Sequence, residues 1–482
     1  MRRGNGMCTC TAAALQQPYA HWKPWGMSTE PAAGTPQNPF RVSDPPDILS
    51  LIPHTLGFEP ENSLVLMGLC GSRLGATLRL DLPPGRPPKS AEAGLYADSA
   101  CRFMASDPEA DGVLLALYTD MPWAVPGRPP YRALVRRLEK ELNAAGIPVR
   151  DGWLVGPDLW RSYFCARPDC CPWPGTPRQQ IADSMLNTEL IYRGSAVAPS
   201  LNSAVGNGFP APWDNQAAVL AEQARFSGRV EGRWNESRQF RGTLMRWVRA
   251  ANAGSGPRTL SGGLRGDVAL AGFLLASLED RSVRDTLLVA GTAGLPAALA
   301  GAEANGLTCR QVSAPVFPEP VEVQAAERAG TAAQAGPEVP AGTDAPDGAG
   351  APGVPGRDAL PCLSVVRAVS AGDFRNVLVG TSSAAPDWVL LDRMYEVFRE
   401  LVPVAQGDPK AALLSLLAWI EWARGRGSRA DVFLRHALQA SPDYRLALLL
   451  RELVGTGALP DWARSRGSSW PGGDSSDGPG PG

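Results

Sequence analysis

Between Pro318 and Gly356 the chain is dominated by Ala, Gly, Pro and acidic residues, with almost no large apolar side chain. Such a stretch cannot bury enough surface to offset the entropy of ordering it. It reads as a disordered linker, bounded near 316–360, so whatever folds must fold on one side of it or the other. The remainder has the material to do so. Of 482 residues 44% are hydrophobic, ample for one large core or two ordinary domains.

Upstream of the linker, ordered sequence begins near Phe40. Asp44, followed by Pro45 and Pro46, caps a short helix around Asp47–Ile52. Ser63–Leu69 is a continuous apolar run and Leu74–Leu82 alternates strictly; Cys70–Arg73 turns the chain between them, giving a β-hairpin. Side chains alternate along a strand, so Leu74, Ala76, Leu78, Leu80 and Leu82 should share one face, with Thr77, Arg79 and Asp81 on the other. Ser90–Ala105 reads as an amphipathic helix with Leu95, Cys101, Phe103 and Met104 inward. Gly112–Tyr118 is a buried strand, and Tyr131–Ala145 is a helix entered through Pro129-Pro130 and stopped by Gly146. Val149–Val155 and Leu159–Cys165 form another strand pair. The order ββαβαββ predicts an α/β sandwich with a mixed sheet. Helices then follow at Gln179–Tyr192, Asn215–Phe226, Gln239–Ala251, Asp267–Leu278 and Pro296–Ala304. Residues 40–315 are thus read as an α/β domain with a helical second half.

Downstream, residues 361–462 read as an all-α domain whose helices resume by Asp387 and end near Trp462. Ala411–Tyr444 fits one tetratricopeptide-type unit of about 34 residues. Ala418, Gly425, Ala430 and Ala437 fall where helices approach closely, Pro442 ends the second helix, and Leu417, Trp419, Leu434 and Leu438 supply the apolar faces. A single unit cannot bury its own face, so it must pack on flanking helices; an unrelated helical hairpin is the alternative. Residues 463–482 and 1–39 read as disordered tails, and Met27 would make an ordinary start.

The formal net charge of −2 points to neither nucleic acid nor an anionic membrane as a partner. The longest apolar runs, Val268–Leu278 and Ala411–Ile420, fall short of the roughly 18 residues a span needs. Nine cysteines, an odd number, do not form the regular framework of a secreted disulfide scaffold. The expectation is a cytoplasmic protein with no cofactor. A phosphate loop, a dinucleotide fingerprint, a Cys-x-x-Cys pair and a His-Glu-x-x-His helix are all missing from the sequence. Only His21, His54 and His436 occur. His54 is the one placed to act as a base, and it reads more readily as a capping or surface residue.

Four further residues could hold a ligand. Arg79 and Asp81 share a strand face and could grip a polar molecule, although such pairs more often form ion pairs on a solvated face. Asp120 follows the "GVLLALY" strand, where open α/β sheets place ligand sites, or it simply starts the Pro-rich turn. Arg161 lies beside the densest cysteine cluster, "SYFCARPDCCPWPG", which holds Cys165, Cys170 and Cys171. Three readings stay open for these thiols. They pack as small apolar fillers under a Pro-rich loop. Alternatively they form a redox or reactive site, in which Arg161 could lower the pKa of Cys165 if the two side chains meet. Or they hold a metal, for which Cys165-x₄-Cys170 is poor spacing. If chemistry is present, Cys165 and Cys170 carry it and Cys171 packs.

"DPPDILSLIPHTLGFEPENSLVLMGL", "RLDLP", "WRSYFCARPDCCPWPG" and "PDYRLALLLRELVGTGALPDW" together resemble the actinobacterial family catalogued as domain of unknown function 4192, over roughly Phe40–Trp462. The resemblance implies two-part cytoplasmic proteins and carries no activity with it. Two functions are expected on these grounds. One is a binding or scaffold protein that engages a protein partner through its C-terminal helical domain. The other is a thiol- or metal-dependent enzyme using the cysteine cluster. The domain reading makes one direct prediction: trace protease should cut within residues 318–356 in minutes while both flanking parts survive. Resistance there would mean the boundary is misplaced.

Overall fold

The computed structural model describes residues 44–318 and 371–470, apart from 72, 84–87, 89, 108, 166, 168–169, 207–208, 254–262 and 465–466, together with 15–16 and 41–42. The linker reading and most of the two terminal tails fall outside the described residues.

Two short strands, β1 (Leu15–Gln16) and β2 (Arg41–Val42), pair antiparallel. Helix α1 (Pro45–Leu56) then starts where Asp44 accepts a 3.1 Å hydrogen bond from the Asp47 N–H, satisfying one of the donors a helix start leaves free. β3 (Ser63–Cys70), β4 (Arg73–Asp81), α2 (Ser90–Met104), β5 (Gly112–Tyr118), α3 (Arg132–Ala144), β6 (Val149–Val155), β7 (Leu159–Ser162) and β8 (Thr176–Pro177) follow. They build a six-stranded sheet in the order β4-β3-β5-β6-β7-β8. Only β5 and β6 run parallel, joined over one face by α3; the other pairs are antiparallel. The sheet is mixed, and both its faces are covered.

Period-two alternation decides which core each strand residue enters. Leu64, Leu66, Leu115, Leu117 and Leu154 face α2 and α3. Val65, Met67, Leu114, Ala116, Trp153 and Val155 face α1 and the later helix α5 (Met185–Tyr192). A strand buried on both faces must be apolar throughout, which is why β3 and β5 are.

Three expectations change at this level. In β4, Leu78 and Leu80 pack in the first core but Leu74 packs in the second. Met67 pairs with Thr77 and Leu69 with Leu74, so β4 carries one extra residue there. That bulge reverses the alternation and sends Leu74 to the other face. Leu95, expected inward, is 73% exposed. Helix α2 instead buries Ala93, Ala97, Ala100 and Met104, a stripe at helical spacing. Finally, Gln179–Tyr192 is not one helix. α4 (Gln179–Ala182) stops, and Ser184 caps α5 afresh by accepting from the Asn187 N–H at 3.1 Å.

The remaining elements are helices: α6 (Leu201–Gly206), α7 (Gln216–Val230), α8 (Ser237–Ala253), α9 (Gly263–Gly266), α10 (Val268–Ser277), α11 (Arg281–Ala293) and α12 (Leu295–Ala304). Beyond the linker come α13 (Ala371–Val379), α14 (Trp388–Leu401), α15 (Gly407–Ala423), α16 (Gly427–Ala440) and α17 (Arg445–Gly455). Helices from both sides of the linker share one hydrophobic core: Trp247 meets Phe398 at 5.4 Å between ring centroids, and Phe209 meets Phe433 at 5.9 Å. Ordered contacts run past Trp462, because the Trp470 N–H donates to Asp392 at 3.1 Å. No helix among the described residues is long and apolar enough to cross a membrane.

In this core Glu421 is fully buried, 3.0 Å from Arg424 and 3.5 Å from Arg426. Burial opposes its ionisation, but the charges of Arg426, Arg424 and Arg429 outweigh that and hold its carboxyl below the usual range. Glu421→Gln removes the anion and leaves the arginines buried without it, so it should cost about 3–5 kcal/mol. A folded-state pKa below the unfolded one stabilises above about pH 4.3 and ceases to do so as pH falls through the folded value. Urea midpoints of wild type and variant should therefore differ widely at pH 7 and converge only as pH falls from about 4.3 through the lower folded value.

Candidate functional site

The three clustered cysteines lie in the loop from Tyr163 to Gly175, whose ends are fixed by sheet pairing. Upstream, β7 pairs with β6; downstream, Thr176 and Pro177 pair with Trp160 and Leu159. β7 ends at Ser162, so Cys165 is not on a strand as expected. The chain bends at Tyr163, whose N–H still donates to Gly152 O at 2.8 Å. Phe164 then folds back over Gly152, where an added Cβ would lie 2.8 Å from the ring. At the far end, a Cβ on Gly175 would lie 2.9 Å from the Trp160 carbonyl oxygen. Gly152 thus leaves room for a ring and Gly175 for a backbone carbonyl, where a side chain would crowd either.

Folding brings the sulfurs together. Cys165 Sγ lies 3.1 Å from Cys170 Sγ, and Cys170 Sγ lies 3.6 Å from Cys171 Sγ. All three fall within 4.8 Å of one another and all are free thiols. Cys170 is the exposed one. Three sulfurs this close could also hold a soft metal ion, a possibility the spacing alone argued against. Among the described residues, no histidine or carboxylate joins the cluster.

Their environments differ. Burial opposes ionisation of Cys165. Hydrogen bonds from the Cys170 thiol, the Arg167 backbone and Cys171, together with the Arg167 charge, outweigh it and hold the Cys165 pKa below the ordinary thiol value. Cys171 is pushed well up, by burial first and then by its contacts with the other two sulfurs. Ionisation is thus favoured at Cys165 and opposed at Cys171, and Cys170 touches Cys165.

Arg161 does not serve as the cation for Cys165; Arg167 does. The Arg161 guanidinium instead sits in the corner formed by two indoles that pack edge to face, 6.1 Å apart at 87°, and lies 5.0 Å from the ring of Trp123 and 5.0 Å from that of Trp173. Its Nη1 donates to the Pro172 carbonyl at 3.0 Å. Trp123 is fixed in turn by its N–H donating to Val125 O and by Tyr163, 5.8 Å away; the Tyr163 hydroxyl donates to Pro130 O at 2.6 Å. Burying a cation costs several kcal/mol, and each cation–π contact returns about 0.5–2 kcal/mol. Two indoles and one carbonyl therefore offset the cost in large part. The tryptophans were not singled out from sequence, though Trp173 between two prolines marks a stiff segment.

The other candidates lie apart. Arg79 Nη2 donates to Asp81 at 2.5 Å, and its Nη1 reaches Ser428 Oγ at 3.3 Å. That guanidinium is spent joining the edge strand β4 to α16, under the Phe58 ring. Asp120 is clasped by Asn62, which donates to its carboxylate at 3.0 Å and accepts from its N–H at 3.3 Å. The clasp ties the end of β5 to the start of β3. His54, expected to cap or to face solvent, is buried. Asn187 Nδ2 donates to Ala182 O at 2.7 Å, so its Oδ1 faces the ring and accepts from Nε2–H at 2.8 Å. Nδ1 is then the acceptor for the Ser195 hydroxyl at 2.8 Å. The order resembles nucleophile, base and orienter, but hydroxyl and ring are both buried. The trio fastens α1 to α5. A groove of about 800 Å³ lined by Arg238, Glu303 and Arg310 includes no residue of the thiol loop.

The family profile described as domain of unknown function (DUF4192) matches residues 45–326 and 323–461. The chain belongs to that family. No curated protein and no solved structure matches it.

The sulfur environments predict an order of reactivity. With iodoacetamide at pH 7, native reduced protein should alkylate at Cys165 first and at Cys171 last. Cys170→Ala should slow Cys165 by removing a hydrogen bond to its thiolate, as read by peptide mass mapping.

Proposed function

We propose that this protein is a thiol–disulfide exchange protein whose redox couple is Cys165–Cys170. The observation that carries the reading is the 3.1 Å contact between the two sulfurs, one of them with a lowered pKa. The Cys165 thiolate attacks one sulfur of a substrate disulfide; that S–S bond breaks, and the first thiolate leaves and takes a proton from water. Cys170, on losing its own proton, attacks the Cys165 sulfur of the mixed disulfide and expels the second thiolate. The substrate is reduced to two thiols, and the protein is oxidised by two electrons to the Cys165–Cys170 disulfide. In a reducing cytoplasm, the location we infer, the couple rests as dithiol and the disulfide is transient.

A second reading is a protein-binding scaffold. α15 and α16 are read as one tetratricopeptide-like pair, with Ala418, Ala430 and Ala437 buried where the helices approach. Leu448 and Leu449 stand about half exposed on α17, where a partner could reach them. The two readings are compatible, since the thiol loop and α17 are separate elements.

Reduced protein treated with one equivalent of 2-hydroxyethyl disulfide should acquire a Cys165–Cys170 bond. Cys170→Ser should stop at a mixed disulfide on Cys165, and Cys165→Ser should not react. Native protein that stays unreactive, or that co-purifies with one equivalent of a soft metal on the three sulfurs, would count against the exchange reading.

A further inference from the structure

Arg161 is 9% exposed, and no carboxylate pairs with it among the described residues. Its three nitrogens differ. Nη1 donates to Pro172 O. Nε is sealed from solvent with no hydrogen-bond partner. Nη2 makes no hydrogen bond among the described residues and is the nitrogen left for a ligand. Trp173, one of the two rings beside the guanidinium, is itself 39% exposed, so this corner borders solvent. The other ring, Trp123, is anchored.

The cation is also tied to the loop that carries the thiols. Pro172, whose carbonyl it holds, follows Cys171 directly, and Cys171 lies 3.6 Å from Cys170. A buried guanidinium with an N–H left over and no counter-ion among the described residues has the chemistry that recognises a carboxylate. The charge of Arg167 at Cys165 has the same sign.

The geometry points to Arg161 as the anion subsite of the exchange centre, selecting low-molecular-weight thiols and disulfides that carry a carboxylate. This inference rests on the exchange reading above. The carboxylate approaches Nη2 at the edge of the Trp123–Trp173 corner, and the substrate sulfur is thereby held near Cys165. Neutral and cationic disulfides lack that hold.

The test compares rates of Cys165–Cys170 oxidation in the full chain by glutathione disulfide, which is anionic, and by cystamine, which is cationic. Wild type should favour the anionic disulfide by about tenfold or more at low salt, and the preference should shrink as salt screens it. Arg161→Gln should bring the ratio close to one, and Arg161→Lys, which keeps the charge, should retain part of it. A ratio unchanged in Arg161→Gln overturns the inference, as does a loss equal for both disulfides, which would make Arg161 only a clamp. Binding of S-methylglutathione, which carries carboxylates but cannot exchange, is read by calorimetry and should weaken about tenfold in Arg161→Gln. If wild type reacts with neither disulfide yet binds S-methylglutathione through Arg161, the exchange reading fails and the anion subsite stands. If binding is absent or indifferent to Arg161, the subsite fails.

Discussion

The contact of the Arg161 guanidinium with Trp123 and Trp173 decides where the three thiols lie. The loop carrying them is fixed at its base by β7 and β8, and none of its described residues between Tyr163 and Gly175 lies in a strand. Two cation–π contacts and the hydrogen bond to Pro172 pull the Cys-Cys-Pro-Trp-Pro segment back toward the end of β7. That brings Cys170 to Cys165. Both partners of the clamp are stiff or anchored, because prolines flank Trp173 and Trp123 is bonded and stacked. Little conformational freedom is left to lose when the thiols meet.

The sheet provides the rigid frame for this. β3, β5 and β6 are buried on both faces, between α2 and α3 on one side and α1 and α5 on the other. The thiol loop hangs from one edge of that sheet. At the opposite edge, β4 meets the helical assembly through Arg79 and Ser428. The helices have a core of their own, in which Trp419, Trp422 and Trp462 each find a backbone carbonyl for the indole N–H. Large rings can be buried there without leaving a donor unpaired.

Much of this frame is legible in the residues. The apolar runs Ser63–Leu69 and Gly112–Tyr118 mark strands buried on both faces, and Asp44 before two prolines marks a helix start. What is not legible depends on one element meeting another. The bulge in β4 arises from pairing with β3, and nothing in the alternation of Leu74–Leu82 announces it. Leu95 looks like a core residue until the alanine stripe beside it is seen to be the packing face. His54 is buried because α5 and Ser195 close over it, from residues far along the chain. At the site, the sequence shows three cysteines near an arginine, but not which cation acts on which sulfur. Arg161 and Arg167 are equivalent candidates on paper. Only the fold separates them: Arg161 stays on β7 against the tryptophans, and the chain beyond β7 leaves Arg167 to act on Cys165.

The central claim is that Cys165 and Cys170 form a redox couple and Cys171 stands outside it. Equilibrating the full chain across a series of thiol–disulfide buffers, quenching by alkylation and mapping the peptides by mass tests it most directly. The account predicts a single two-electron transition confined to Cys165 and Cys170, with Cys171 alkylated as a free thiol throughout. Three thiols that remain reduced under the most oxidising buffer, or a transition that consumes Cys171 first, would contradict it.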